Sequence, residues 1–167
     1  MRRFVDELWL PYQRDLEATV EARVLADDVD AEEIVDFRTD YFDDPEKRTW
    51  VALDDLDDPT GSLADADATF AGFLSTSLRT PPQKYDSADR LSLGNFYVTP
   101  EYRGTGLADD LVAKALQHAR EDGAEEFTLD VAVDNDRALA YYEQLGFEVA
   151  RYRMRVPVDE LELDAGE

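Results

Sequence analysis

The run Glu101-Tyr-Arg-Gly-Thr-Gly-Leu-Ala108 constrains this chain more than any other. It follows an apolar stretch, Leu91 to Val98, and Pro100, and it leads into an amphipathic stretch, Leu107 to Glu121. A strand that turns through glycines into a helix points unpaired backbone N–H groups at one spot, where an anion is stabilised. Gly104 and Gly106 let the backbone approach a ligand closely and adopt positive φ. The N–H groups from Gly104 to Ala108, with Thr105 and Leu107 between, are expected to converge on a pyrophosphate. Arg103 adds positive charge, or pairs with a surface acid instead. Ala108 keeps the first helical turn thin, or is an ordinary packing residue. The run is not a Walker A loop, because no Gly-Lys-Ser/Thr follows, and its spacing and late position differ from the dinucleotide fingerprint.

Composition narrows the classes. The chain has 167 residues with 44% hydrophobic content, enough for one domain with a real core. Residues 1–158 read as that domain and 159–167 as an acidic tail. No cysteine is present, so disulfides and thiolate chemistry are excluded, and the single histidine argues against a zinc site. Acidic residues number 40 against 17 basic, for a net charge of −23. Such a surface repels nucleic acid and anionic membranes. The acid is spread over nearly every segment, which favours adaptation to high salt over steering of a cationic substrate. No apolar run approaches the roughly 20 residues that span a bilayer. Met-Arg-Arg-Phe is not followed by a signal-peptide core, so the chain is expected in the cytoplasm.

Along the chain, residues 1–5 read as a short first strand. Pro11 opens a helix with Tyr12, Leu16, Val20 and Val24 at spacing four; the alternation of Val20, Ala22 and Val24 leaves a strand over 19–25 as the alternative. Asp30 or Asp28 caps a second helix over 31–42, which Pro45 ends. Trp50 to Leu53 and Thr69 to Leu78 read as strands of a hairpin with a long acidic loop, and Arg79 to Asp89 as irregular. Leu91, Leu93, Phe96 and Val98 form a strand whose alternation slips at Gly94-Asn95, as at a β-bulge; a regular buried strand is the alternative. Ala108, Leu111, Val112, Ala115, Leu116 and Ala119 share a helix face that Gly123 terminates. Phe127 to Val133 alternates as a strand. Asp134-Asn135-Asp136 turns the chain into a helix over 137–145, and Phe147 to Val156 reads as a final strand. The fold class is α/β, with a central mixed sheet flanked by helices.

Asn135-Asp-Arg-Ala138-Leu-Ala-Tyr141-Tyr142-Glu143-Gln-Leu145-Gly146-Phe147 lies one helix and one strand beyond the glycine run. Together the two segments resemble the GNAT superfamily of acetyl-CoA-dependent N-acetyltransferases. Arg103-Gly-Thr-Gly106-Leu-Ala108 matches its Arg/Gln-x-x-Gly-x-Gly/Ala signature. Asn135, Ala138, Tyr141, Tyr142, Glu143, Leu145, Gly146 and Phe147 match its second pattern. The resemblance implies a sheet splayed between the strands ending at Val98 and Val133, with the pantetheine arm of acetyl-CoA as a false strand. Backbone groups of Phe96 and Val98 would pair with that arm, the pyrophosphate would sit on Gly104 to Ala108, and Asn135 would touch the arm or cap its helix.

Transfer of an acetyl group to an amine needs an unprotonated nucleophile, a donor for the oxyanion and a proton for the departing thiolate. By resemblance Tyr142 is the general acid and the Val98 N–H the oxyanion donor. Tyr141 is expected to point elsewhere and pack on the sheet. Many members carry a glutamate on the strand that here reads Leu-Ser-Leu-Gly-Asn-Phe-Tyr-Val, so no base is assigned. Asn95 and Tyr97 could orient water, and Asp86, Asp89 or an acid from the early helices could approach. His118 reads as a boundary surface residue, Trp9 and Trp50 as packing groups. Phe37, Tyr41 and Phe42 pack the core or wall the acceptor site. The expected function is acetyl transfer from acetyl-CoA to an amine of a small molecule or peptide, by direct attack in a ternary complex. A non-catalytic acyl-CoA-binding module is the alternative. A homodimer is a possibility, with the final strand as a candidate edge.

Overall fold

Four strands form one sheet in the order β1 (Lys47–Asp54), β2 (Thr69–Arg79), β3 (Arg90–Val98) and β4 (Glu126–Leu129). The first three are antiparallel neighbours, and β3 pairs with β4 in parallel. The computed structural model describes residues 1–21, 30–57, 67–79 and 89–161. The acidic loop after β1, the segment before β3, the expected reach to Val24 and the end of the tail lie mainly outside the described residues.

Side chains alternate across a strand, and β2 and β3 use both faces. On one face Phe73 and Tyr97 join Phe4, Val5, Leu8 and Ile34 from the early helices. On the other, Leu74, Leu93, Phe96 and Val98 pack under α4 (Leu107–Glu121) through Leu111 and Ala115.

The chain does not begin with a strand. α1 (Arg2–Phe4) continues through a π-helical segment, Val5–Trp9, into α2 (Leu10–Thr19). Helix wins over residues 1–5 because Phe4 and Leu8 bury on one face at spacing four, while Arg2–Asp6 and Arg3–Glu7 pair outside. Pro11 therefore does not start the helix. The widened segment comes just before it, where the Leu10 N–H bonds to the Val5 carbonyl five residues back.

α3 (Ala31–Asp43) is capped by Asp30, whose carboxylate accepts the Glu32 N–H at 2.8 Å. Arg38 on this helix is 2% exposed, with its guanidinium 4.5 Å from the Tyr41 ring centre. Burial lowers its pKa below the ordinary arginine value.

The slip at Gly94-Asn95 is a bulge. Register steps from Leu74↔Phe96 to Thr76↔Leu93, so Ser75 alone faces two residues of β3. The Ser75 hydroxyl accepts the Asn95 N–H at 2.9 Å and donates to the Asn95 carbonyl at 3.3 Å. A side chain at position 94 would meet that hydroxyl at 3.1 Å. The extra residue returns Phe96 and Val98 to the face used by Leu93.

Two expected strands are corrected. β4 stops at Leu129, four residues short of Val133, which is 87% exposed. Phe147 to Val156 forms no strand, and Val149, Tyr152, Met154 and Val156 are all exposed. A strand needs a neighbour for its backbone groups, and among the described residues of this chain none pairs with this segment. Among the described residues no helix is long and apolar enough to cross a membrane.

Ser75 is fully buried, so Ser75→Ala leaves the Asn95 N–H without its partner. Urea denaturation is expected to show a loss of about 1–2 kcal/mol, while Ser75→Thr keeps the hydroxyl and loses less. Equal stability of wild type and Ser75→Ala would show that this hydroxyl does not hold the bulge.

Candidate active site

β3 and β4 pair from Arg90↔Glu126 to Leu93↔Leu129 and then part, immediately before the bulge. β3 runs on to Val98 with that edge uncovered by β4. The Thr99 N–H bonds to the Ala71 carbonyl, and bonded and non-bonded pairs alternate along an antiparallel ladder. Tyr97 thus bonds to β2, while the N–H and C=O groups of Phe96 and Val98 face the opening. The Val98 carbonyl is taken by the Arg103 Nε at 3.1 Å. The Val98 N–H and both Phe96 groups remain directed at the cleft.

A short 3-10 turn, Pro100–Tyr102, follows β3. Gly104 and Gly106 then take φ of 76° and 93°, in the left-handed region that favours glycine. A Cβ at either would meet nothing within 4 Å, so the constraint is backbone conformation and not space. Gly106 is the N-cap of α4 and has no side chain to cap it. The first N–H groups of α4 therefore have no capping side chain and carry the positive end of the helix dipole. Thr105 turns outward, its hydroxyl donating to the Tyr102 carbonyl at 2.7 Å. Leu107 packs into the core beneath the turn.

Opposite stands α5 (Asp136–Gln144). Its N-cap is Asn135, whose Oδ1 accepts the Ala138 N–H at 3.2 Å, so the capping role is present. Between β3, the glycine turn, α5 and α2 lies a cavity of about 540 Å³. Phe96, Val98, Arg103, Gly104, Gly106, Ala108, Asn135 and Tyr142 line it. Of the expected site residues, Thr105 and Leu107 do not. A recess of about 120 Å³ adjoins it through Tyr12, Leu16, Phe96, Asn135, Ala138 and Tyr142, and reaches Gly94, Val131 and Ala132. The combined volume suits a ligand of cofactor size.

Burial pushes the Tyr142 hydroxyl up to about 12, with Tyr12 nearby adding to the rise. Tyr141 does not turn away from the cleft. Its ring lies 5.9 Å from Phe96, as packing on the sheet requires, but the residue also lines the same cavity, and its hydroxyl donates to Asp109 on α4 at 2.9 Å. Burial first, then that hydrogen bond, raises its pKa strongly.

Of the two roles open for Phe37, Tyr41 and Phe42, none of the three lines the cavity, whose wall here is α2 through Tyr12, Asp15, Leu16 and Thr19. Phe37 is exposed, and Phe42 packs edge-on against Phe4. Among the described residues the lining carboxylates are Asp15 and Asp109. Asp15 Oδ2 accepts from Arg103 at 2.8 Å and from Arg137 at 2.9 Å, while Asp109 accepts from Tyr141. His118 is buried, not on the boundary surface. It accepts from Arg48 Nε at 3.2 Å and meets Trp50 edge-on, away from the cavity. Among the described residues no cluster of potential metal ligands occurs.

A model of the acetyltransferase (GNAT) family matches residues 8–147. The chain belongs to that family. A Bacillus halodurans protein of known structure superposes on this GNAT chain with a TM-score of 0.73 at 16% identity, covering 95% of this chain and 96% of that one. The aminoglycoside N-acetyltransferase AAC(6')-Iy, solved in complex with CoA, superposes with a TM-score of 0.57 at 21% identity, covering 88% and 89%. At those identities the likeness is one of fold. In sequence, a mycothiol acetyltransferase from Corynebacterium aurimucosum is 40% identical over 70 residues, 40% of this chain and 23% of that protein. The N-alpha-acetyltransferase 30 of Schizosaccharomyces pombe is 41% identical over 56 residues, 34% of this chain and 36% of that protein. The chain thus matches well under two thirds of either relative.

An aspartate at position 106 would strain the left-handed backbone by about 1–2 kcal/mol and set a carboxylate on the free N–H groups of α4. Calorimetric titration with CoA is expected to show Gly106→Asp weakened more than tenfold, and Gly106→Ala, which lacks the charge, weakened less. Unchanged affinity in a folded Gly106→Asp variant would contradict a phosphate site at this turn.

Proposed function

We propose that this GNAT protein is an N-acetyltransferase that moves the acetyl group of acetyl-CoA directly to an amine of a small molecule or peptide, within a ternary complex. The observation that carries the reading is the uncovered edge of β3 opening into a cavity that ends at an uncapped helix N-terminus. The fit is chemical as well as spatial. An amide-bearing arm finds the Phe96 and Val98 backbone groups at one end, and a pyrophosphate finds the N–H groups of Gly104 to Ala108 at the other. The AAC(6')-Iy structure, of similar fold, contains CoA, which supports the same donor here.

When bound, acetyl-CoA supplies an activated acetyl thioester. Val98 offers its N–H to the carbonyl oxygen as negative charge develops there. Tyr142 stays protonated through the neutral range, because burial holds its hydroxyl near 12. A thiol has a reference pKa of about 8.5, well below that phenol. Tyr142 therefore assists the departing sulfur by donating a hydrogen bond and keeps its own proton at equilibrium. Asn135 orients the arm while capping α5. The recess at Gly94 and Val131 is where we place the incoming amine. Among the described residues its lining includes no carboxylate, and we assign no base residue.

We attribute the acid excess to life at high salt, since it is spread along the chain and not gathered at the cavity. Residues 1–158 are proposed as one catalytic domain in the cytoplasm. The test is an acetyl-CoA-dependent screen over small amines, peptide N-termini and lysine peptides, run in molar salt so that the −23 charge is screened. CoA binding with no turnover across the panel would shift the reading to a non-catalytic acyl-CoA-binding module.

Tyr142→Phe is expected to lower kcat about a hundredfold while leaving acetyl-CoA affinity unchanged. The raised pKa also fixes a sign. The folded protein holds the Tyr142 proton above the unfolded value of 10.0, so that contribution to stability is complete below pH 10 and is lost as pH rises toward 12. Tyr142 should accordingly impose no fall in rate below about pH 10. A fall near pH 8 that disappears in Tyr142→Phe would overturn the protonated-donor role.

A further inference from the structure

Asp15 is the residue of the cleft that the acetyl-transfer reading leaves unexplained. A single oxygen, Oδ2, takes hydrogen bonds from Arg103 on the glycine turn and Arg137 on α5. Those residues stand on opposite walls of the cavity, and all three line it. Asp15, on α2, therefore closes a bridge across the opening. A second tether lies six residues further on, past the end of α2, where the Glu21 N–H donates to Asp134 at 2.9 Å, just before α5.

Two guanidiniums that converge on one oxygen repel each other and need an anion between them. A carboxylate supplies one negative charge for two positive ones. A phosphate group supplies more acceptor oxygens and, in a pyrophosphate, two charges in reach of the same pair. The chain holds only 17 lysines and arginines against 40 acids, yet two arginines converge here beside the uncapped N-terminus of α4. Arg137 is also the more exposed partner, its side chain 60% accessible, so it is free to exchange one anion for another.

We propose that Arg137 is the second arm of the phosphate site, and that Asp15 is a built-in anion that occupies the arginine pair until a phosphate of the cofactor displaces it. This rests on the acetyl-CoA reading and deepens it. Exchange breaks the Asp15 bridge and frees α2, whose Tyr12 and Leu16 line both the cavity and its recess. Cofactor binding thereby loosens the wall past which the acceptor must enter.

The test measures affinity for CoA, dephospho-CoA and S-acetylpantetheine, by calorimetry at constant salt, in wild type, Asp15→Asn, Arg137→Gln and the double variant. Removing the internal competitor is expected to tighten CoA about tenfold in Asp15→Asn and to leave S-acetylpantetheine, which has no phosphate, unchanged. Arg137→Gln is expected to weaken CoA, and to weaken it more in the Asp15→Asn background, where no bridge must be broken first. A loss shared by dephospho-CoA assigns Arg137 to the pyrophosphate, and a loss confined to CoA assigns it to the 3′-phosphate. Thermal unfolding without ligand monitors folding. If Asp15→Asn does not fold, Arg137→Gln at its exposed position decides alone. Equal or weaker CoA binding in folded Asp15→Asn, or unchanged binding in Arg137→Gln, overturns the inference while wild-type CoA binding leaves the acetyl-CoA reading intact. A wild-type protein that does not bind CoA sinks both.

Discussion

The hydroxyl of Ser75, fully buried, holds both backbone groups of Asn95 and so fixes one extra residue in β3. The consequences spread outward from that contact. The bulge keeps Leu93, Phe96 and Val98 on the same face of the sheet, where α4 can cover them. It also adds local twist where the parallel pairing with β4 ends. Past it the β3 edge is uncovered, and its hydrogen-bonding groups face the cleft.

The two faces of the sheet do different work. On one, α1 and the π-helical segment after it pack through Phe4, Val5 and Leu8, and α2 reaches over the cleft with Tyr12, Asp15 and Leu16. On the other, α4 packs through Leu111 and Ala115 and aims its uncapped N-terminus at the same opening. The cleft is closed at two points by polar pairs, Arg103–Asp15–Arg137 and Tyr141–Asp109. Among the described residues, both carboxylates that line the cavity are thus engaged.

Local patterns carried much of this in advance. The alternation of Leu91, Leu93, Phe96 and Val98 breaks once, and a break of one residue has few physical meanings besides a bulge. Asp30 and Asn135 each precede an amphipathic run, where capping is their common role. Gly104 and Gly106 sit between a strand and a helix, where positive φ is needed. What escaped depended on distant partners. Residues 1–5 are too few to show a period of their own, and burial of Phe4 and Val5 beside Ile34 and Phe73 makes them helical. Phe147 to Val156 has the pattern of a strand and lacks a neighbour. His118 looks like a boundary residue of an amphipathic helix; the Trp50 ring that meets it comes from β1, far away in the chain. Asp15 is one acid among 40, and nothing in the sequence marks it as the one lying between two arginines. Its only local signal is a place one turn after Tyr12 on a helix that proves to border the cleft.

The proposed donor lies along the open edge of β3. Residue-resolved amide hydrogen exchange, with and without saturating CoA in high salt, tests it most directly. Phe96 and Val98 should gain strong protection, while Tyr97, already bonded to β2, should change little. Exchange at Phe96 and Val98 that is the same with and without bound CoA would contradict the account.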